Sequence, residues 1–299
     1  MKKEYVCYED QYNLMLKDIY ENGVWCGNRT EYRTKKLPHQ IIQVDLEKEF
    51  PILKSKFVAF KNAIQEILWI MQGHSDIGEL QAQNNHIWDE WYDKREDHTV
   101  GECYGWVVKK YDLINKAIRQ LRTNPDDRRI VINLYQYQHL DNGVLEPCCH
   151  NTDWDVTNGR LNCVLTQRSG DTPKGVPFNT TQYAVLVHLL AHVTGLKPGL
   201  LTHVISNAHI YENQMDGVKK QLENYELMKK VYTIPSDEWT NPDHTKLEVE
   251  HIVESRPKLI INPDIKEFAD FKATDITLEG YNNKGLGNMG KVDMGKTAV

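Results

Sequence analysis

A cysteine pair followed by a histidine, at residues 148–150, precedes two polar motifs: Gln-Arg-Ser-Gly-Asp at residues 167–171 and Gly-Val-Pro-Phe-Asn at residues 175–179. A cysteine thiolate is a good nucleophile, and a nearby cation lowers the thiol pKa from its usual value of about 8.5. The pattern supplies a thiol, the Arg168 guanidinium that could ionise it, and the Asn179 amide that could read a polar ring. It predicts a covalent active site that acts on a small anionic molecule.

The cysteine pair also allows plainer interpretations. Cys148 and Cys149 could be ordinary buried thiols, since cysteine is among the residues most often found inside proteins. A zinc site would need a second ligand pair at zinc-finger spacing, and the sequence has none. His150 could pair with Cys149 as in a cysteine hydrolase. However, neighbouring side chains of a strand point to opposite faces, which is poor geometry for a catalytic dyad.

Four arginines are candidates for binding a phosphate group. Arg128 and Arg129 follow the acidic residues 126–127 at the start of a predicted strand, and alone they would be interpreted as solvated side chains paired with those aspartates. Arg29 and Arg168 change that interpretation. Because guanidinium groups offer planar, bidentate donors, four of them in a chain of net charge -6 suit a phosphate dianion.

Other candidate residues have both a structural and a functional interpretation. Glu66 lies in an apolar helical segment, where it is either an exposed charge or a buried acid with a raised pKa that could transfer protons. Trp88 and Trp91 belong either to the core or to a stacking wall for a flat heterocycle. His209 and Tyr211 alternate on an extended segment and could face one ligand, although a single histidine there could equally be structural.

Composition limits the class of protein. The 299 residues are 40% hydrophobic, which is enough for one large core or two small ones. The net charge of -6 argues against a general nucleic-acid surface. The six cysteines form no disulfide framework, the N-terminus leads into no apolar signal segment, and no run reaches the ~18 apolar residues of a membrane helix. We expect a reduced, cytoplasmic protein that binds no membrane.

Hydrophobic periodicity predicts the elements that position these residues. Asn158-Gly159, between two alternating runs, is a strong signal for a β-hairpin. Residues 223–257 are expected to form a polar surface excursion, and the Gly- and Lys-rich residues 285–296 a mobile tail. Helices and strands mixed without regular alternation favour an α+β or mixed α/β fold. The predicted helices are 59–71, 107–121, 180–193 and 214–222, and the predicted strands are 129–135, 154–156, 161–167, 201–205, 258–261 and 276–278.

Taken together, these motifs resemble those of the thymidylate synthase family. The resemblance covers most of the chain, and the pattern of residues 167–179 is highly specific to that family. It implies one catalytic domain over residues 1–299, of α/β (α+β) class, with a large mixed β-sheet flanked by helices. It also implies a homodimer whose sheets pack back to back. The implied reaction is the reductive methylation of dUMP to dTMP, with 5,10-methylenetetrahydrofolate as the donor of carbon and hydride and without a metal.

The resemblance also implies catalytic roles. The Cys149 thiolate would add to C6 of uracil, and Arg168 would both hold the phosphate and lower the pKa of Cys149. Asn179 would read O4 and N3-H, which favours uracil over cytosine. Glu66 would organise water and relay protons, and Tyr104 would assist removal of the C5 proton. The implied catalytic set is Cys149, Glu66, Tyr104, Arg168, Asn179 and His150.

Two further residue sets follow from the resemblance. Arg128 and Arg129 would reach the phosphate from the partner subunit. The substrate-binding set is Arg29, Arg128, Arg129, Gln167, Arg168, Ser169, Asp171, Asn179, His209 and Tyr211, of which His209 and Tyr211 would hold the ribose 3′-hydroxyl. The folate-binding set is Lys56 at the glutamyl tail, Trp88 and Trp91 as the wall, Asp171 at the pterin, and Val299, whose carboxylate would close the site.

Two rivals to this function stay open. A dUMP hydroxymethylase shares the fold and the first half-reaction, but water captures the methylene intermediate in place of hydride. Trp88 and the Ala298-Val299 ending favour water exclusion and hence methylation. The other rival is a non-catalytic nucleotide- or RNA-binding protein, which the acidic net charge argues against. Cys148 stands where the family usually has proline.

Overall fold

A mixed β-sheet organises the computed structural model, which describes residues 5–296. Within that range the strands are β1 Val24–Cys26, β2 Thr34–Asp45, β3 Val131–Asn133, β4 Cys149–Thr157, β5 Arg160–Gln167, β6 Gly170–Asp171, β7 Lys197–Tyr211, β8 Lys258–Ile261 and β9 Ile276–Glu279. The helices are α1 Tyr8–Asn22, α2 Phe60–Met71, α3 Ile77–Gln81, α4 Asp89–Tyr92, α5 Gly105–Tyr111, α6 Leu113–Thr123, α7 Gly175–Thr194, α8 Met215–Lys230 and α9 Lys246–Glu254.

The long strand β7 joins two halves of the main sheet. The strand order is β1-β2-β7-β5-β4-β3, with the short β6 also paired to β7. Strand β7 runs antiparallel to β2 and parallel to β5, while β8 and β9 form a separate antiparallel pair. This architecture confirms the mixed α/β fold class expected from the sequence.

The two faces of the main sheet differ in their surroundings. Every second residue of β5 from Leu161 to Gln167 is buried on the face that α7 covers, and α7 is itself buried along most of its length. The opposite face carries exposed apolar side chains in the single chain: Ile41, Val164 and Leu200. A sheet with one covered face and one open apolar face has a surface that another layer can bury.

The predicted hairpin is present, and one predicted helix is broken in two. Asn158 and Gly159 have φ values of 53° and 71° between β4 and β5, as a type I′ turn requires. The expected single helix over 107–121 is wrong, because Asp112 takes a left-handed conformation (φ 53°, ψ 41°) between α5 and α6. Its carboxylate accepts hydrogen bonds from Asn115 at 2.7 Å and Arg119 at 3.0 Å, which stabilises the start of α6.

Helix α7 begins earlier than predicted. Its first residue is Gly175 instead of the predicted Thr180, since Pro177 is compatible with the first turn of a helix. Asn179 therefore lies on the helix and shares a face with residues three and four positions further on. Strand β3 is shorter than the predicted segment 129–135, whereas β7 extends far enough to include His209 and Tyr211, as expected.

The C-terminal third is more ordered than the sequence suggested. Residues 223–257 are not a surface excursion, because α8 continues to Lys230 and α9 packs against it. The tail 285–296 is not free either. Asn288, Met289 and Met294 are buried, and the Met289 amide donates to the Lys54 carbonyl at 2.7 Å. Apolar methionines between the glycines anchor this segment.

The close contact between α8 and the tail yields a stability prediction. A Cβ atom at Gly217 would lie 2.1 Å from the Asp293 carbonyl oxygen. We expect Gly217→Val to lower the free energy of unfolding by about 1–3 kcal/mol through overpacking, and to make the tail cleavable by protease. Urea unfolding and limited proteolysis measure both effects. The exposed Lys219→Val in the same helix is the control, and equal stabilities of the two variants would contradict the packed tail.

Candidate active site

The Cys149 thiol lies at the start of β4, opposite Gln167 of β5, and only 4% of the residue is exposed. Burial raises the pKa of Cys149 well above its usual range, and the neighbouring Cys148 and Glu66 charges raise it further. The expectation that Arg168 lowers this pKa is wrong for the chain alone. The Arg168 charge acts on the pKa of Cys148 instead, because its guanidinium is held against the chain just before the cysteines.

A cationic corner borders the cysteine pair. Arg168 donates to the carbonyl oxygens of Pro147 at 3.0 Å and Glu146 at 2.6 Å. The exposed Arg29 lies close enough to act electrostatically on Cys148 and Tyr211, since its charge works to lower the pKa of both groups. The structure therefore brings Arg29, Arg168 and Tyr211 to one end of the site.

Arg128 and Arg129 lie elsewhere. Both are exposed and precede the edge strand β3. The Nε of Arg129 lies 2.9 Å from Asp127 Oδ1, as the plainer interpretation of this doublet expected. In the part of the chain that the structure describes, no hydrogen bond or ion pair connects either arginine to the residues around Cys149.

Glu66 is a buried acid and not an exposed charge. Its carboxylate accepts a hydrogen bond from Trp88 Nε1 at 2.6 Å and another from Gln182 Nε2 at 2.5 Å. Burial raises the pKa of Glu66 to about 7, although both hydrogen bonds act to lower it. A carboxyl group with this pKa can exchange protons near neutral pH.

Aromatic rings enclose Glu66 and the cysteine pair. Trp88 is buried, with its ring centroid 5.2 Å from that of Trp91 and 5.6 Å from that of Tyr104. The hydroxyl oxygen of Tyr104 accepts a hydrogen bond from the Cys148 amide at 3.1 Å. Tyr104 has φ 46° and ψ -112°, a strained backbone for a bulky residue that the surrounding packing must hold in place.

The Asn179 side chain is held by two glutamines. Gln167 Nε2 donates to Asn179 Oδ1 at 3.1 Å, and Asn179 Nδ2 donates to Gln182 Oε1 at 3.0 Å. Gln167 is fixed in turn, because its Oε1 lies 2.7 Å from His203 Nε2 and its Nε2 donates to the Ser169 carbonyl at 2.9 Å. One chain of hydrogen bonds therefore runs from β7 through Asn179 to Glu66.

Sequence reasoning missed Gln182 and His203. Gln182 is three residues after Asn179, a spacing that places both on one face of a helix. It is also a polar residue in an apolar helical run, the same signal that identified Glu66. The earlier start of α7 hid this relation, because Asn179 was placed outside the helix. His203 lies within the predicted strand 201–205, and nothing in the sequence around it marks it as a functional residue.

The expected ribose and pterin residues meet at the β6–β7 pairing. Asp171 is opposite His209 in register and accepts from Gln214 Nε2 at 2.9 Å. Burial raises the pKa of Asp171 and lowers that of His209, while each charge favours the other. Lys56 is buried, donates to the Pro173 carbonyl, and has its pKa lowered to about 8 by burial. Its ammonium group therefore supports the turn before α7.

His150 stands apart from these contacts. The His150 ring lies against Tyr135, with centroids 5.8 Å apart, and burial followed by the Arg168 charge lowers its pKa. Among the described residues, no hydrogen bond joins His150 to Cys149, as the strand geometry predicted. Val299 lies outside the described residues.

Comparison with known proteins identifies the family. Residues 10–253 match the family model described as thymidylate synthase. The chain belongs to the thymidylate synthase family. A thymidylate synthase of Clostridium beijerinckii (strain ATCC 51743 / NCIMB 8052) is 55% identical to it over 277 residues, covering 92% of this chain and 95% of that enzyme. Thymidylate synthase 1 of Bacillus subtilis (strain 168) is 32% identical over 296 residues, with the same coverage of each.

The fold comparison agrees with the sequence comparison. The solved structure of a thermostable thymidylate synthase A from Bacillus subtilis superposes with a TM-score of 0.81 at 30% identity, and covers 98% of this chain and 99% of that one. Membership of the thymidylate synthase family confirms the expected enzyme class: a methyltransferase of dTMP biosynthesis with dUMP and methylenetetrahydrofolate as substrates. Within residues 5–296, no helix is long and apolar enough to cross a bilayer.

The raised pKa of Glu66 predicts how stability depends on pH. Folded Glu66 holds its proton up to about pH 7, whereas the unfolded side chain releases it near 4.5. The native state therefore binds more protons between these values, and its stability falls as the pH rises through them, by about 3 kcal/mol from this group. We expect Glu66→Gln to gain that amount relative to the native sequence over the same range. Urea unfolding at several pH values measures the difference, and a constant difference would contradict the assignment.

Proposed function

We propose that this enzyme reductively methylates dUMP through a covalent adduct between Cys149 and C6 of uracil. The observation that carries the proposal is the placement of Cys149 near Glu66 and opposite Gln167, the two ends of the hydrogen-bond chain that holds Asn179. The thiolate would add to C6, and C5 would then attack the methylene carbon of the folate. Loss of the C5 proton and departure of the folate nitrogen from the methylene carbon would leave an exocyclic methylene on the ring. Hydride transfer from the tetrahydrofolate to that methylene would form the methyl group, and the Cys149 thiolate would then leave C6, which releases dTMP and dihydrofolate.

The Asn179 amide would recognise the base and assist the addition. As the thiolate adds to C6, negative charge develops on O4, and a fixed donor there stabilises the transition state. Asn179 would donate to O4 and accept from N3-H, with its amide orientation supported by Gln167 and Gln182. Glu66 would exchange protons through water, which its pKa of about 7 supports, and Tyr104 would assist removal of the C5 proton.

The cationic corner would bind the nucleotide phosphate. Arg29 and Arg168, with the Ser169 hydroxyl, offer charge-assisted donors at the end of the site that is more exposed. His209 and Tyr211, whose ring centroids are 5.0 Å apart, would hold the ribose 3′-hydroxyl. This assignment places the charged phosphate near solvent and the neutral base near the buried thiol.

A homodimer would complete the phosphate site. The open sheet face, with exposed Ile41, Val164 and Leu200, supports packing of two sheets back to back. Arg128 and Arg129 lie at the edge of the same sheet and would then reach the partner's phosphate. This arrangement explains why two exposed arginines of one chain could serve a site that they do not border.

The folate would lie against the aromatic wall of Trp88 and Trp91. Asp171 would hydrogen-bond the pterin, and the Val299 carboxylate would close the site. Lys56 would serve the glutamyl tail once its ammonium group leaves the Pro173 carbonyl. Exclusion of water by these rings favours hydride transfer, and hence methylation over the rival hydroxymethylation. The free state of all six cysteines supports a cytoplasmic location.

A product assay and one substitution test this function. With dUMP and methylenetetrahydrofolate, we expect dTMP and dihydrofolate in equal amounts, identified by mass. Hydroxymethyl-dUMP with tetrahydrofolate would instead indicate the hydroxymethylase.

We expect Cys149→Ser to lower turnover by a factor on the order of 10³ or more, because the nucleophile is lost, while dUMP binding persists. Cys7→Ser, remote from the site, is the control. Substantial turnover by Cys149→Ser would refute the covalent assignment.

Mixed dimers test the donation of arginines across the interface. An Arg128→Ala chain retains its thiol, and a Cys149→Ser chain retains its arginines, so each hybrid dimer contains one complete site. We expect equal mixing to restore about a quarter of the native activity, because half of the dimers are hybrids with one working site each. The unmixed variants are the controls. No recovery would place Arg128 in the site of its own subunit, or outside any site.

A further inference from the structure

Gln182 bonds directly to both functional groups of the base-binding end. Gln182 is buried, with 2% of its surface exposed. Its Oε1 accepts from Asn179 Nδ2 at 3.0 Å, and its Nε2 donates to Glu66 Oε2 at 2.5 Å. The amide thus spans from α7 to α2 and joins the side chain that would read the pyrimidine to the one that would move protons.

The direction of these hydrogen bonds is set by chemistry from both ends. In its ionised form, above its pKa of about 7, Glu66 only accepts hydrogen bonds and requires the Nε2 of Gln182, which leaves Oε1 for Asn179. At the other end, burial lowers the pKa of His203 to about 3 and keeps the ring neutral. The Ser169 carbonyl only accepts, which places the amide nitrogen of Gln167 on the side of Ser169 and Asn179 and leaves its Oε1 for the protonated Nε2 of His203.

We propose that Gln182 is a positioning residue that fixes the amide orientation of Asn179 and supports the ionised form of Glu66. The inference rests on the proposed function of the site, and it adds a coupling between base selectivity and proton transfer. If Asn179 loses its acceptor at Gln182, only the Gln167 donor still holds its amide. Rotation, which would present oxygen where O4 of uracil needs a donor, then becomes less costly. The site then discriminates less well between uracil and cytosine, whose position 4 carries an amino group.

Gln182 is one of two groups that favour the ionised form of Glu66. Trp88 and Gln182 donate to the carboxylate, while burial opposes ionisation. The titratable groups that face it are the Cys149 thiol and the Tyr183 hydroxyl, and the Glu66 charge raises the pKa of each. Both groups are neutral near pH 7 because burial raises their pKa values. Loss of the Gln182 donor therefore acts on Glu66 without compensation from a nearby cation.

Two variants separate the two effects. Gln182→Met keeps the length of the side chain but removes both hydrogen bonds. We expect it to raise the pKa of Glu66 by about 1 or more and to lower the ratio of dCMP to dUMP dissociation constants by about tenfold, the scale of one hydrogen bond. Gln182→Glu keeps an acceptor for Asn179 but sets a second carboxyl group against Glu66. We expect it to retain the selectivity for dUMP while raising the pKa of Glu66.

The measurements do not depend on turnover. Difference infrared spectroscopy follows the protonated carboxyl band of Glu66 against pH in the ligand-free protein, and Glu66→Gln assigns that band by its loss. Nucleotide binding is measured by calorimetry. Gln65→Met is the matched control, because Gln65 is a buried glutamine next to Glu66 whose Nε2 donates to the Gln83 carbonyl at 3.1 Å. It should leave both readouts unchanged.

The outcomes distinguish this proposal from the one on which it rests. A raised Glu66 pKa in both variants, with selectivity lost only in Gln182→Met, supports the positioning role. Unchanged Glu66 titration and unchanged selectivity overturn it, even if stability falls, because a merely structural glutamine would behave in that way. If Gln182→Met does not fold, Gln182→Leu, which also removes both hydrogen bonds, is measured by the same two readouts. If the native protein forms no dTMP, the proposed function fails while the infrared titration still decides the role of Gln182.

Discussion

The burial of one carboxyl group, that of Glu66, constrains how the site is assembled. A carboxylate moved from water into the protein interior is strongly destabilised unless donors replace its hydration. Here the donors come from two other parts of the chain: the indole of Trp88 and the amide of Gln182 on α7. Helices α2 and α7 and the segment before α4 must therefore keep a fixed relative position. The geometry of the site follows from satisfying this one group.

Differences in burial divide the site into two electrostatic regions. At the buried end, burial raises the pKa values of Cys149 and Tyr104 well above their usual ranges, so the thiol and the phenol are neutral in the chain alone. At the more exposed end, Arg29 and Arg168 provide positive charge. A nucleotide has the matching polarity, with an uncharged base and an anionic phosphate. The proposed function would place the base at the buried end and the phosphate at the arginines.

The sequence predicted the elements whose patterns are local. Helix α2 and the β4–β5 hairpin were predicted because apolar spacing and the Asn158-Gly159 turn are read directly from neighbouring residues. The break at Asp112 was not predicted, since the apolar spacing continues across it and only its backbone conformation changes. Strand β2 was missed because Pro38 and the positive φ of His39 interrupt its alternation.

In the site, too, local sequence features were predicted and long-range contacts were not. Residue types identified Cys149, Asn179 and Arg168, but whether Glu66 is buried depends on the packing of α7 against α2, which are far apart in sequence. The relation between Asn179 and Gln182 was hidden by an error of five residues in the start of α7, from Thr180 to Gly175. The pKa of Cys149 was misjudged for a related reason. The hairpin suggested that Arg168 folds back towards Cys149, whereas burial dominates the environment of that thiol.

The side-by-side thiols have a practical consequence for chemical labelling. Cys148 is partly exposed beside the arginines, whereas Cys149 is almost fully enclosed. An alkylating reagent will reach the first sulfur more easily than the second, and an adduct there would lie beside the arginines proposed to bind the phosphate. Inactivation by such a reagent would therefore not identify the nucleophile, and peptide mapping must resolve which of the two adjacent sulfur atoms carries the label.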